Sequence, residues 1–229
     1  MAQPIKVAHR GASGYEPENS LLAFQKAIDL GADMIELDVR ICKSGEVVVI
    51  HDRSVDRTTN GFGRVKDKTL TELKGLDMQK GQKICTLEEV LDFINKRVKI
   101  TIELKGKNAA FKVCRIIQRY VEEKGWQYDD FIVHSFHHSV LWIVKFTDKD
   151  IRIGVLSETV PPIRFFSFVK AIGAYSVDVP AHRIDKKFIE KAHRKNLKVF
   201  VYAANDGKEI QKAKEIGADY ICSNFPDKI

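Results

Sequence analysis

Ile35-Glu36-Leu37-Asp38-Val39-Arg40 alternates apolar and polar side chains without a break, and Val98-Lys99-Ile100-Thr101-Ile102-Glu103-Leu104-Lys105 repeats the alternation later in the chain. Successive side chains on a strand point to opposite faces, so each stretch predicts a strand with one wholly apolar face and one polar face. The apolar set, Ile35, Leu37, Val39, Ile100, Ile102 and Leu104, has the character of a surface covered by helices. The polar set then faces an enclosed interior that carries charge.

Outward from these two stretches, further β-rich runs stand at 5–9, 131–134, 151–156, 176–179, 198–202 and 220–222, which makes eight strands in all. Between them lie segments with apolar residues at three-to-four spacing, at 20–30, 87–96, 111–124, 186–195 and 208–216. Strands alternating with helices predict a parallel sheet, and eight of them predict a closed (β/α)8 barrel. An open doubly wound sheet is the competing architecture, but no Gly-rich phosphate loop follows the first strand. After a further apolar run at 47–50, residues 53–85 carry the turn-like Thr58-Thr59-Asn60-Gly61-Phe62-Gly63 and few long apolar runs. They read as an insertion over the C-terminal mouth of the barrel, where substrate choice is partly set. One barrel domain over 1–229 accommodates the whole chain.

Composition narrows the function classes. No run approaches the roughly 18 apolar residues of a membrane span, and no leader-like apolar segment opens the chain, so a cytoplasmic protein without membrane insertion is expected. Cys42, Cys85, Cys114 and Cys222 are scattered, which suits buried thiols better than a zinc site or a disulfide framework. A net charge of +7 favours anionic ligands, yet the basic residues are mixed with acids throughout, so a small-molecule substrate is expected and no nucleic acid partner. Oligomeric state is not legible.

Glu36, Asp38 and Glu103 would share the confined interior, where three carboxylates repel one another and lose hydration. Either a divalent cation neutralises them or Arg40, Lys99 or Lys105 pairs with them; alternation alone does not choose. An all-oxygen donor set suits Mg2+ or Ca2+. His9 and His51 both close apolar β-runs. Each alone reads as a structural histidine, but together with the acids they form the pair of proton carriers that phosphodiester cleavage requires. Arg10 and Lys105 follow a candidate base and a candidate metal ligand, where they could grip phosphate oxygens. His134, His137, His138, His182 and His193 lack partners nearby in sequence and read as core or surface residues. Phe165, Phe168, Val169 and Ile172 have core-helix spacing, which leaves Phe166 as the one spare aromatic for an acyl chain.

These residues resemble the glycerophosphodiester phosphodiesterase family. The likeness runs through His9-Arg10-Gly11, Pro17-Glu18-Asn19-Ser20, Glu36-Leu37-Asp38-Val39, His51-Asp52, Asp56-Arg57-Thr58-Thr59-Asn60-Gly61, Thr86-Leu87-Glu88-Glu89-Val90-Leu91 and Glu103-Leu104-Lys105. The second half matches more loosely, at Ser135-Phe136 and Gly217-Ala218-Asp219. The resemblance implies a (β/α)8 barrel with a small insertion after the second strand, and hydrolysis of glycerophosphodiesters such as glycerophosphocholine or glycerophosphoethanolamine to sn-glycerol 3-phosphate and an alcohol. It implies Glu36, Asp38 and Glu103 as ligands of one Mg2+ or Ca2+, and His9 and His51 as general acid and base. Arg10, Lys105, Glu18, Asn19, Phe136 and Tyr202 would contact substrate, with a helix-capping role open for Asn19 or Ser20. Tyr202 stands where the family commonly has tryptophan, Cys222-Ser223-Asn224 replaces a usual threonine-aspartate pair, and Cys85 replaces a frequent proline. On this reading none of these departures touches the metal or acid-base residues. Lysophospholipase D-type hydrolysis and a catalytically silent phosphodiester-binding barrel are the alternatives, and a lysolipid turnover assay separates the first.

Overall fold

The computed structural model describes residues 3–159 and 163–229. Its strands are β1 (Ile5–His9), β2 (Met34–Ile41), β3 (Val47–Val49), β4 (Lys99–Leu104), β5 (Phe131–Ser135), β6 (Arg152–Leu156), β7 (Ser176–Pro180), β8 (Lys198–Tyr202) and β9 (Tyr220–Ser223). All but β3 are parallel, in the order β1-β9-β8-β7-β6-β5-β4-β2, and pairing of β1 with β2 closes the ring. The result is a (β/α)8 barrel. β3 pairs antiparallel with the end of β2 and leads the chain into the insertion.

The helices are α1 (Leu21–Asp29), α2 (Leu70–Gly75), α3 (Leu87–Ile94), α4 (Ala110–Lys124), α5 (His138–Thr147), α6 (Ile163–Ala171), α7 (Lys186–His193) and α8 (Gly207–Ile216). Except for α2, which belongs to the insertion, they surround the barrel, and after β9 a short 3-10 turn at Pro226–Lys228 takes the place of a last helix. Helix ends follow local chemistry. Thr86 and Glu89 form a capping box that starts α3, and Asn95 stops it in the left-handed region at φ 44. Between them Leu87, Val90, Leu91 and Ile94 are fully buried, each contributing about 1.5–3 kcal/mol. Among the described residues no helix is long and apolar enough to cross a membrane.

The alternation in β2 and β4 sorts as its period requires. Ile35, Leu37, Val39, Ile100, Ile102 and Leu104 join the layer between strands and helices. The barrel interior is stratified: Val7, Met34, Ile132, Phe200, Tyr220 and Cys222 form an apolar plug toward the N-terminal ends of the strands. Above it Asp178 accepts from Ser176 Oγ at 2.6 Å and pairs with His134 Nδ1 at 3.0 Å. Gly154 lies against this group, and a Cβ there would stand 2.5 Å from Asp178 Oδ2, so only glycine leaves room for the carboxylate. The acids of β2 and β4 occupy the next layer, at the C-terminal mouth.

The insertion holds more apolar structure than its sequence suggests. Cys42, Val48, Ile50, Val55, Val65, Leu73, Met78 and Ile84 make a separate small core. One aromatic is also reassigned. Phe166 is the buried member of its cluster, 3% exposed and 5.6 Å from the Phe188 ring, whereas Phe165 and Phe168 are half-buried beside His138. Val169 and Ile172 are buried as expected and Phe165 and Phe168 pack against the same core, but Phe166 is buried with them, so it is not free for an acyl chain.

Candidate active site

The site begins at the register of three neighbouring strands. His9 lies opposite Glu36, and Asp38 lies opposite Glu103, so residues from β1, β2 and β4 arrive at one level. One carboxylate oxygen from each of Glu36, Asp38 and Glu103 falls within 4.8 Å of the others, and all three side chains are buried. Burial and the neighbouring Asp38 push the Glu36 carboxyl up to about 7 and raise Glu103 as well. Burial acts on Asp38 in the same direction, but Lys105 and Arg10 outweigh it and hold that carboxyl below the ordinary range.

The cations present do not complete the neutralisation. Lys105 Nζ binds Glu103 at 2.6 Å and lies 3.2 Å from Asp38 Oδ1. The second approach is close enough for charge attraction but lacks hydrogen-bond geometry, so Asp38 Oδ1 is buried without a hydrogen-bond partner among the described residues. Arg10 Nε stands 3.3 Å from Asp38 Oδ2 and is likewise unpartnered as a donor. Arg40 and Lys99 take no part: Arg40 donates to the backbone oxygens of His51 and Lys105, and Lys99 is exposed at the far end of β4. Three close carboxylates with an orphaned inward oxygen fit a divalent cation, and their all-oxygen chemistry suits a hard one.

The turn after β1 is built for this place. Arg10 has φ 57, a strained value for a residue with a side chain, and its backbone N–H thereby donates to Glu36 Oε2 at 2.8 Å. Gly11 follows at φ 78, where a Cβ would meet the Ala23 backbone at 2.7 Å. Asn19 and Ser20 divide the two roles that sequence left open. Ser20 caps α1 by accepting from the Ala23 N–H, while Asn19 donates from Nδ2 to Asp38 Oδ2 at 2.9 Å.

The two histidines stand in different surroundings. Burial, with Arg10 adding to it, holds the His9 imidazole below the ordinary histidine value, and its Nδ1 lies 2.6 Å from Asn224 Oδ1. Since that oxygen only accepts, the proton is assigned to Nδ1, leaving Nε2 as the acceptor. His51 Nδ1 bonds Asp52 Oδ1 at 2.6 Å. From there a chain of charges crosses the mouth: Arg57 Nε donates to Asp52 at 2.6 Å, its other nitrogens donate to Glu18 at 2.7 and 2.8 Å, and Glu18 accepts from Arg10 at 3.0 Å. Phe136 and Tyr202 close the remaining side, edge to face at 6.0 Å, with Lys105 Nζ 5.9 Å from the Phe136 ring. All eleven residues singled out in sequence thus reach the same end of the barrel.

A model of the glycerophosphoryl diester phosphodiesterase family matches residues 9–228. The chain belongs to that family. It is 34% identical to the glycerophosphodiester phosphodiesterase of Caldanaerobacter subterraneus, over 98% of this chain and 96% of that one. An Oleispira antarctica phosphodiesterase, solved with its product sn-glycerol-3-phosphate, superposes with a TM-score of 0.89 at 25% identity, covering 97% of this chain and 94% of the other. The glycerophosphodiester phosphodiesterase of Thermotoga maritima superposes with a TM-score of 0.84 at 31% identity, covering 99% and 97%. Membership makes the protein an enzyme, a phosphoric diester hydrolase.

Three features of this family member escape a reading of sequence. The Asn224 departure does touch an acid-base candidate, since it is the hydrogen-bond partner of His9; β9 brings residue 224 beside β1 only when the barrel closes. His134 has a partner too, Asp178 from a distant strand, and its Nε2 approaches Glu36 Oε1 at 4.0 Å. Arg57, visible only as part of a matching string, is the bridge between Asp52 and Glu18.

Proposed function

We propose that the protein hydrolyses glycerophosphodiesters, such as glycerophosphocholine or glycerophosphoethanolamine, to sn-glycerol 3-phosphate and an alcohol. The observation that carries this is the convergence of three close carboxylates, two histidines and the cations Arg10 and Lys105 on one buried level. Glu36, Asp38 and Glu103 would hold one Mg2+ or Ca2+, which when bound polarises the phosphate and acidifies a hydroxyl beside it. Arg10 and Lys105 grip the non-bridging oxygens, and Asn19 fixes the rotamer of Asp38. Glu18 and Arg57 keep Arg10 and Asp52 in place across the mouth, while Phe136 and Tyr202 shape its far wall.

His9, neutral through burial and with Nε2 free to accept, is suited to take the proton from the glycerol hydroxyl next to the ester. His51, its ring held through Nδ1 by Asp52, is placed to give a proton to the departing alkoxide. The substrate supplies its own nucleophile, so a cyclic phosphate forms and water opens it. Four buried thiols suit a reducing, cytoplasmic setting. Phe166, the aromatic that sequence left spare for an acyl chain, is buried and gives a lysolipid no support.

The test is hydrolysis of glycerophosphocholine with Mg2+ or Ca2+ and with chelator, for wild type, Glu103→Ala and His51→Ala. Metal-dependent release of glycerol phosphate, lost in both variants, is expected. A diester without the neighbouring hydroxyl should be cut at least about 100-fold more slowly, in proportion to the lost intramolecular attack. Equal rates would exclude the substrate-assisted route.

A further inference from the structure

The mouth is flanked by two cavities, one balanced in charge and one cationic. One, of about 290 Å3, is lined by residues 13–18 together with Arg57 and Lys80. Its acids are matched: Glu16 binds Lys80, and Glu18 binds Arg10 and Arg57. The other, of about 440 Å3, lies between the insertion and the loop after β4, and its wall carries Arg40, Arg53, Arg64, Lys66, Lys105 and Lys107 with no acid among the described residues. Lys105, whose Nζ reaches Glu103 and Asp38, also lines this cavity, so the cavity borders the carboxylate site.

Local backbone pairing builds this cationic wall. Ser54 and Arg64 form an antiparallel bridge, and the Val65 N–H donates to Arg53 O at 3.0 Å, which sets Arg53 and Arg64 side by side on the rim. Lys107 faces them from the other loop. Lys66 is paired with Asp67, Lys105 with Glu103, and Arg40 with two backbone oxygens. Among the described residues, no carboxylate lies within ion-pair distance of Arg53, Arg64 or Lys107. Gathering cations around a concave space without counter-charge costs free energy through repulsion, a cost that an anion in the cavity relieves. The volume suits a small phosphorylated alcohol.

We propose that this cavity is a subsite for the leaving alcohol of a substrate class in which that alcohol itself bears a phosphate or comparable anion. The inference rests on the hydrolase reading above and narrows its substrate. The neutral polyol half of the diester matches the charge-balanced cavity, the diester phosphate lies at Lys105 and Arg10, and the second anion lies among Arg53, Arg64 and Lys107. A cationic alcohol such as choline meets repulsion there.

The experiment compares kcat/KM for glycerophosphocholine, for glycerophosphoglycerol, and for glycerophosphoglycerol phosphorylated on its terminal hydroxyl. Wild type and the double variant Arg64→Gln with Lys107→Gln are used, both exposed residues outside the catalytic group. Wild type should prefer the phosphorylated substrate by about 10-fold or more over the neutral one at low salt, in line with one or two charge-assisted contacts. The preference should shrink as salt rises. The double variant should lose most of it while changing turnover of the neutral glycerophosphoglycerol by less than about 2-fold, since only exposed charge is removed, and turnover of glycerophosphocholine should rise as repulsion is relieved. Equal kcat/KM for the three substrates in wild type overturns the proposal, as does a preference that the variant retains. Inorganic phosphate that alters glycerophosphocholine turnover, with no advantage for the phosphorylated diester, makes the cavity a site for free anions and also overturns it. Those outcomes leave the hydrolase reading intact. Failure of all three diesters to be cut with any added divalent metal overturns both.

Discussion

At the N-terminal end of the strands, Asp219 accepts from Lys198 Nζ at 2.8 Å, from His193 Nε2 at 2.7 Å and from the Val199 N–H at 2.9 Å, and Asp33 accepts from the Lys6 N–H at 2.8 Å. At the C-terminal end, Glu36, Asp38 and Glu103 crowd together with Asp38 Oδ1 unpartnered. Between the two, Asp178 is satisfied by Ser176 and His134 deep in the barrel. Carboxylates that meet enough donors tie strands together; carboxylates that meet too few are poised for a ligand. The barrel thus separates stability from chemistry along its axis, as parallel barrels do when their loops carry the reaction.

Replacing a carboxylate at each level tests that separation. The largest effect belongs to the mouth. Glu36→Gln should lower kcat by about 1000-fold, the equivalent of losing several kcal/mol of transition-state stabilisation, while the thermal midpoint holds or rises because repulsion with Asp38 and Glu103 is relieved. A midpoint that falls sharply with activity retained would invert the comparison.

A smaller energy is expected in the middle layer, where Asp178→Asn leaves His134 without its charged partner. The loss should be about 3 kcal/mol of unfolding free energy in urea, as for a buried pair broken on one side. A variant as stable as wild type would place the Asp178 pair among the dispensable contacts.

The smallest belongs to the far end. Burial pushes the Asp219 carboxyl up, but bonds from Lys198, Val199 and His193 outweigh it and leave the group below the ordinary value of 3.8. A carboxyl lowered in the folded state contributes stability that is fully present above its unfolded pKa and is lost as pH falls through the folded value. Asp219→Asn should therefore cost about 1–2 kcal/mol at neutral pH with kcat unchanged, and the gap to wild type should narrow below about pH 4. A gap constant down to pH 2 would show packing, not charge, at this position.

What was legible in sequence is whatever local chemistry decides. Period-two alternation named the inward acids, because a strand has only two faces. Three-to-four spacing marked helices such as that at 87–96, because an α-helix brings every third or fourth residue to one face. The motif order through Glu103-Leu104-Lys105 identified the family and both histidines. Closure of the barrel decided the rest. It brought Asn224 to His9 and Asp178 to His134, withdrew Arg40 to backbone oxygens, turned Phe166 inward, and faced Arg64 toward Lys107 across a cavity. Those partners are set by strand register and packing between residues far apart in the chain, and no local pattern encodes such a distance.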